Sequence, residues 1–271
     1  MAVDYVNAVV LGVVEGLTEF LPVSSTGHLI IAGKLLGFEG ELAETFDVMI
    51  QLGAILAVCV VYFETLLKTA LTLPTRAESR RFTLSVLIAF LPACVLGLAL
   101  HGYIKEFLFS PWVVCASLIV GGIAILVIER IMPPARYTDS ESLTPLTSLQ
   151  IGLCQCLALV PGVSRSGATI LGAAMFGVER KAAAEFSFFL AIPTMLGAFA
   201  LDAYKSKELL LHSADAAPVI AVGFVVSFLA AIVVVKTLIG FISRHGFAPF
   251  AWYRIAAGIA FGVIIYFMPV Q

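Results

Sequence analysis

Charge is what this sequence has least of. Asp, Glu, Lys and Arg make up 13% of its 271 residues and hydrophobic residues 61%, where ordinary soluble domains carry roughly 25% charged residues. That deficit excludes a water-soluble globular domain and indicates an integral membrane protein. A basic face is missing too, which excludes nucleic acid as a partner. Neither lysine nor arginine precedes Lys34, and Asp4 lies near the start, so the N-terminus lacks the positive region of a cleaved signal peptide and is read as mature. The five cysteines, Cys59, Cys94, Cys115, Cys154 and Cys156, lack the spacing of a zinc cage or a loop disulfide and are read as small core residues.

What the chain does contain is apolar length. Crossing the hydrocarbon core takes about 20 apolar residues, and six stretches qualify: 46–64, 82–100, 111–129, 186–203, 218–236 and 250–268. Two further regions, 3–38 and 147–180, are apolar but interrupted by Pro, Gly and Ser. Each is read as a re-entrant helical hairpin, because non-helical backbone at membrane depth is tolerated only where it is buried in protein or lines a cavity.

The two interrupted regions are copies of one another. GVVEGLTEFLPVSSTGH (Gly12–His28) returns as GLCQCLALVPGVSRSGA (Gly152–Ala168). At an offset of 140, Gly12 matches Gly152, Glu15 matches Gln155, Val23 matches Val163, Ser24 matches Ser164 and Gly27 matches Gly167. One hairpin plus three spans makes a unit, giving repeats of about 1–130 and 146–271 within a single membrane domain. Three spans are an odd number, so the second unit is expected upside down relative to the first, an inverted-topology repeat. The expected architecture is all-α and polytopic, with six transmembrane helices, two re-entrant hairpins, and a site where the hairpins meet.

Orientation is read from the basic residues. One side collects Lys68, Arg76, Arg80, Arg81, Arg130, Arg136, Arg180, Lys181, Lys236 and Arg244, the other only Lys34, Lys105, Lys205 and Lys207. The first side is expected to be cytoplasmic and both termini extracytoplasmic.

The polar residues of the two breaks define the candidate chemistry, since charges at bilayer depth are costly and mark function. Glu15 and Glu19 lie one helical turn apart and suit a hard divalent cation, Mg²⁺ or Ca²⁺, or divided acid and base roles. Ser24, Ser25, Thr26 and Gly27 offer hydroxyls and amides to an anion. Arg165, between Ser164 and Ser166 and before Gly167, offers bidentate bonds to phosphate oxygens. His28 is a candidate base or nucleophile. Gln51 and Gln155 are polar within apolar runs, and Gln155 is read equally as a helix-to-helix bond.

At EGLTEFLPVSSTGH and PGVSRSGAT, and along ETFDVMIQLGAILAV and AAEFSFFLAIPTMLGA, the sequence closely resembles the undecaprenyl-diphosphatase family, the bacitracin-resistance proteins. The resemblance implies a bacterial inner-membrane enzyme, open to the periplasm, that hydrolyses undecaprenyl diphosphate to undecaprenyl phosphate and inorganic phosphate. It thereby renews the lipid carrier of wall synthesis and removes the ligand of bacitracin. It implies dependence on a divalent cation at Glu15 and Glu19, loop hydroxyls at Ser24, Ser25 and Thr26, a histidine at His28, and a phosphate-binding arginine at Arg165. Ser25 is the expected nucleophile, activated by Glu19 or His28; attack by His28 or by water stays open. Expected partners are the lipid substrate, membrane lipids and, in addition, a second copy in a homodimer. The competing reading is a transporter or flippase of an anionic prenyl lipid, since inverted repeats with broken helices serve transporters.

Overall fold

The computed structural model describes residues 5–104, 108, 110–205 and 217–267. Lys105, Lys207 and the last residue of the sixth expected span, 268, lie outside the described residues.

Among the described residues the regular structure is helical, apart from an isolated bridge between Tyr137 and Val178. In chain order the helices are α1 (Tyr5–Thr18), α2 (Ser25–Leu35), α3 (Glu41–Val61), α4 (Phe63–Thr72), α5 (Ala77–Tyr103), α6 (Pro111–Ile131), α7 (Pro145–Gln155), α8 (Arg165–Met175), α9 (Arg180–Lys205), α10 (Ala217–His245) and α11 (Ala248–Phe267). Six of them, α3, α5, α6, α9, α10 and α11, are long and apolar enough to cross a membrane, and they coincide with the six expected spans. Several outrun the apolar stretch that predicts them: α9 begins at Arg180 and α10 continues to His245. A helix does not end where its apolar run ends, because charged residues such as Arg180, Lys181 and Arg244 remain good helix formers beyond the hydrocarbon.

The outer surface is apolar. On α5 the exposed residues include Leu84, Leu87, Leu91, Val95 and Leu98, spaced three and four apart, which makes one continuous helix face. Exposed apolar surface on this scale requires a nonpolar solvent. The protein is a multi-pass membrane protein.

The two broken units are built alike. α2 runs from Ser25 to Leu35 and α8 from Arg165 to Met175, so the offset of 140 residues read from the sequence reappears in both boundaries of these helices. Their packing is exchanged between the repeats: α1 lies against α10 of the second unit, and α7 against α5 of the first, while α6 pairs with α11. The exchange demands close backbone approach. A Cβ on Gly12 would stand 2.6 Å from Gly223 O, and one on Gly16 would stand 2.7 Å from Ala230 Cβ. Buried Phe20, Phe186 and Phe188 fill the space where α9 meets the first break, with the rings of Phe20 and Phe188 edge to face at 5.4 Å.

Gly12→Leu is therefore expected to force α1 off α10 and to destabilise the protein by about 1 to 3 kcal/mol, the usual range for overpacking. Gly240→Ala, whose Cβ would meet nothing within 4 Å, is the control. Thermal unfolding in detergent checks the pair: a lowered midpoint for Gly12→Leu alone is the expected result.

Candidate active site

Each broken unit restarts its helix on a serine in an unusual conformation. Ser24 (φ 73°) caps α2 and Ser164 (φ 77°) caps α8, and among the described residues they are the only non-glycine residues with positive φ. That conformation costs about 1 to 3 kcal/mol and persists only where the surroundings enforce it. Part of the enforcement is the cap itself: Ser24 Oγ accepts from Gly27 N at 3.4 Å, and Ser164 Oγ from Gly167 N at 3.0 Å. The result is two helix N-termini whose first amides face away from their own helices, a preformed arrangement for an anion.

The two breaks meet. Ser166 Oγ donates to Leu21 O at 2.7 Å, and a Cβ on Gly27 would come within 3.7 Å of Gly162 Cα. Between them lies a cavity of about 180 Å³ lined by Glu19, Ser24, Ser25 and Thr26 from the first break, Ala158 to Gly162, Ser164 and Arg165 from the second, and Gln51 and Met195 from α3 and α9.

The polar wall of this cavity is a short chain of bonds. Ser25 Oγ donates to Glu19 Oε2. Glu19 Oε1 receives Arg165 Nη2 at 3.1 Å. Arg165 Nη1 donates to Ser187 O at 2.8 Å and reaches Ser187 Oγ at 3.3 Å, while its guanidinium carbon stands 5.8 Å from the centroid of the Phe20 ring. A hydroxyl on a carboxylate can be activated as a nucleophile, and the Arg165 guanidinium, which lines the same cavity, carries the charge that suits phosphate oxygens. Hydroxyl, base and cation thus share one cavity.

The remaining expected site residues take other places. Glu15 is fully buried on α1 outside the cavity lining, and neither of its carboxylate oxygens has a hydrogen-bond partner. Gly27, Ser166 and Gly167 also stand behind the wall, joining and capping the breaks. His28 lies outside the lining, with Nδ1 2.7 Å from Ser24 O and Nε2 2.7 Å from the hydroxyl of Tyr253. Gln155 meets Thr194 Oγ1 of α9 at 3.3 Å, the helix-to-helix alternative. Gln51 lines the cavity.

One residue was not singled out from the sequence. Arg254 of α11 is 1% exposed, and among the described residues no carboxylate pairs with it. Its guanidinium instead donates to backbone carbonyls: Nη1 to Pro22 O (3.1 Å) and Val163 O (2.9 Å), Nη2 to Gly162 O (2.9 Å) and Ser117 O (3.0 Å), and Nε to Leu118 O (3.4 Å). It ties both breaks to α6. Gly121 leaves room for it, since a Cβ there would fall 2.7 Å from the guanidinium carbon. An arginine inside the 250–268 run was a readable signal, because an intramembrane charge is a functional hypothesis by default. Its acceptors are main-chain atoms, which leave no trace in sequence.

The chain is 57% identical over 259 residues to undecaprenyl-diphosphatase 2 of Paramagnetospirillum magneticum, covering 96% of this chain and 98% of that one. It is 56% identical over 256 residues to undecaprenyl-diphosphatase of Sinorhizobium medicae (94% of each chain), and 54% identical over 259 residues to that of Rhodopseudomonas palustris (95% and 96%). The family model described as bacitracin resistance protein BacA matches residues 8–260, a span that takes in both breaks, the cavity between them and Arg254. The chain therefore belongs to the BacA bacitracin resistance protein family.

Proposed function

We propose that the protein is a membrane lipid diphosphatase that hydrolyses undecaprenyl diphosphate to undecaprenyl phosphate and inorganic phosphate. The observation that carries this is the Ser25 hydroxyl bonded to Glu19 beside Arg165 in a cavity between two helix N-termini. The names of the relatives supply the lipid. Such an enzyme renews the carrier for wall polymers and lowers the amount of bacitracin's ligand. The distribution of lysine and arginine puts both termini outside the cytoplasm, the family resemblance implies a cavity open to the periplasmic side of the inner membrane, and we read the two breaks as re-entrant hairpins of an inverted repeat.

Phosphoryl transfer asks a protein chiefly for positioning and neutralisation of oxygen charge. Arg165 and the free first-turn amides of α2 and α8 hold the diphosphate with its terminal phosphorus against Ser25 Oγ. Ser25 attacks, its proton passing to Glu19 Oε2; the Oγ to phosphorus bond forms as the bond to the bridging oxygen breaks, and that oxygen leaves with the prenyl phosphate. Water then cleaves the phosphoserine, its hydroxyl going to phosphorus and a proton returning to Oγ. Glu19 is the better placed base, because the bond to Ser25 is made by Glu19 and not by His28.

A divalent cation, Mg²⁺ or Ca²⁺, would be held by Glu15 and Glu19, although among the described residues no group of three or more His, Cys, Asp and Glu side chains stands together to cage it. Glu15 has two buried oxygens without partners, and Glu19 lies one turn along; oxygen-only ligands suit both ions, and Mg²⁺ takes few carboxylates when phosphate completes its shell. When bound it would neutralise charge on the phosphate oxygens.

Phosphate release from a C55 prenyl diphosphate in detergent tests this reading. Ser25→Ala is expected to lower turnover by about 10³-fold or more while the lipid diphosphate still binds; near-normal turnover removes Ser25 from the chemistry. Arg165→Ala is expected to cost about 10²- to 10³-fold, and EDTA to suppress release in the native chain until Mg²⁺ or Ca²⁺ is restored. Release unaffected by EDTA would remove the metal from this account.

A further inference from the structure

The two breaks share their cap, their positive φ and their links to Arg254, yet differ at one position. Where the first has His28, the offset of 140 residues puts Ala168 in the second. Ser164 keeps φ at 77° with no side chain at position 168 to grip its carbonyl, Ala168 N donating to Ser164 O at 2.9 Å. A histidine is thus not needed to build this kind of break. It is present only in the break that carries the hydroxyl on Glu19.

What His28 adds is a second grip on the strained residue. Ser24 O receives His28 N at 3.3 Å and His28 Nδ1 at 2.7 Å. A carbonyl can only accept, so Nδ1 carries the proton, and in the neutral ring Nε2 must then accept. The partner it accepts from is the hydroxyl of Tyr253, at 2.7 Å, with the two rings 8° from parallel and Phe261 edge-on to the imidazole at 5.5 Å. Both ring nitrogens are occupied, and neither bonds Ser25 or Glu19. The trans peptide between residues 24 and 25 opposes its C=O and N–H, so gripping the Ser24 carbonyl fixes the plane from which Ser25 and its amide project.

We infer that His28 and Tyr253 form a positioning relay: Tyr253 holds the imidazole in place through Nε2, and the imidazole holds the Ser24 carbonyl and thereby aims Ser25 at the phosphoryl group. Neither is a catalytic residue. The relay rests on the diphosphatase reading and supplies a role for a histidine that sequence alone offered as a base.

His28→Asn separates the two roles, because the asparagine Nδ2 leaves Cγ along the same branch as histidine Nδ1 and can donate to Ser24 O, but it cannot act as a base. Phosphate release from a C55 prenyl diphosphate is measured beside thermal unfolding for the native chain, His28→Ala, His28→Asn, Tyr253→Phe and the Asn/Phe double variant. A misplaced reacting group costs on the order of 10²-fold, so His28→Ala should lose about that in kcat and His28→Asn should recover to within about tenfold of native. Tyr253→Phe should cost about 3- to 10-fold in the native background, the scale of one hydrogen bond, and nothing further on His28→Asn, which has no Nε2 to hold. His28→Asn as inactive as His28→Ala, with unchanged unfolding, overturns the relay and makes His28 the base. Equal Tyr253→Phe losses in both backgrounds overturn the part given to Tyr253. A well-folded native chain that releases no phosphate overturns the diphosphatase reading and the relay together, whereas an active native chain with inactive His28→Asn overturns the relay alone.

Discussion

The structure depends on one buried cation. Arg254 sits at the junction of the first break, the second break and α6, and five carbonyl oxygens converge on its guanidinium. An arginine taken out of water without a carboxylate is expensive by several kcal/mol. Hydrogen bonds to a charged group return about 1.5 to 3 kcal/mol each, so the burial is sustained only when the acceptors converge. Convergence is the structural content: Nη1 alone joins Pro22 of one break to Val163 of the other, which fixes the distance between Ser25 and Arg165. A lysine has the charge but not the planar fork that addresses several acceptors at once. Gly121, with no side chain to occupy the same space, is the complementary half of this arrangement.

From that junction the cavity follows. The chain cannot cross a membrane as loops, because exposed amides and carbonyls there have no water to bond. Here the carbonyls of both breaks turn inward to Arg254, and the strained caps Ser24 and Ser164 turn the chain sharply into α2 and α8. The free amides are left for the cavity. Strain at two equivalent serines and a buried arginine are therefore aspects of one solution, in which broken backbone is satisfied on one side and offered to an anion on the other.

Symmetry explains most of what the sequence revealed. The constant offset between the two motifs reappears in α2 and α8, which run from Ser25 to Leu35 and from Arg165 to Met175, because a repeated Pro, Ser and Gly pattern repeats backbone conformation. The six spans were legible as apolar length, and Arg165 as a charge in the wrong solvent. Less was legible where function depends on which atom meets which. Gly27, Ser166 and Gly167 look like ligand-binding residues in a string, but the short contacts between the breaks turn them into joints behind the wall. Tyr253 and Arg254 lie far along the chain from both motifs and act on a ring nitrogen or on backbone, so even where the charge of Arg254 stands out in its apolar run, no local pattern announces what either residue meets. The departures from symmetry, Glu15 against Gln155 and His28 against Ala168, mark where the two copies differ: the first carries both carboxylates, the histidine and Ser25, the second carries Arg165.

The central claim is that the two breaks form one phosphate site, with Ser25 and Arg165 addressing the same group. Its most direct test is a crystal structure with a non-hydrolysable prenyl methylenediphosphonate. The terminal phosphonate is expected between Ser25 Oγ and the Arg165 guanidinium, with its other oxygens toward the first turns of α2 and α8. A diphosphonate bound outside this cavity, or touching only one of the two breaks, would contradict the account.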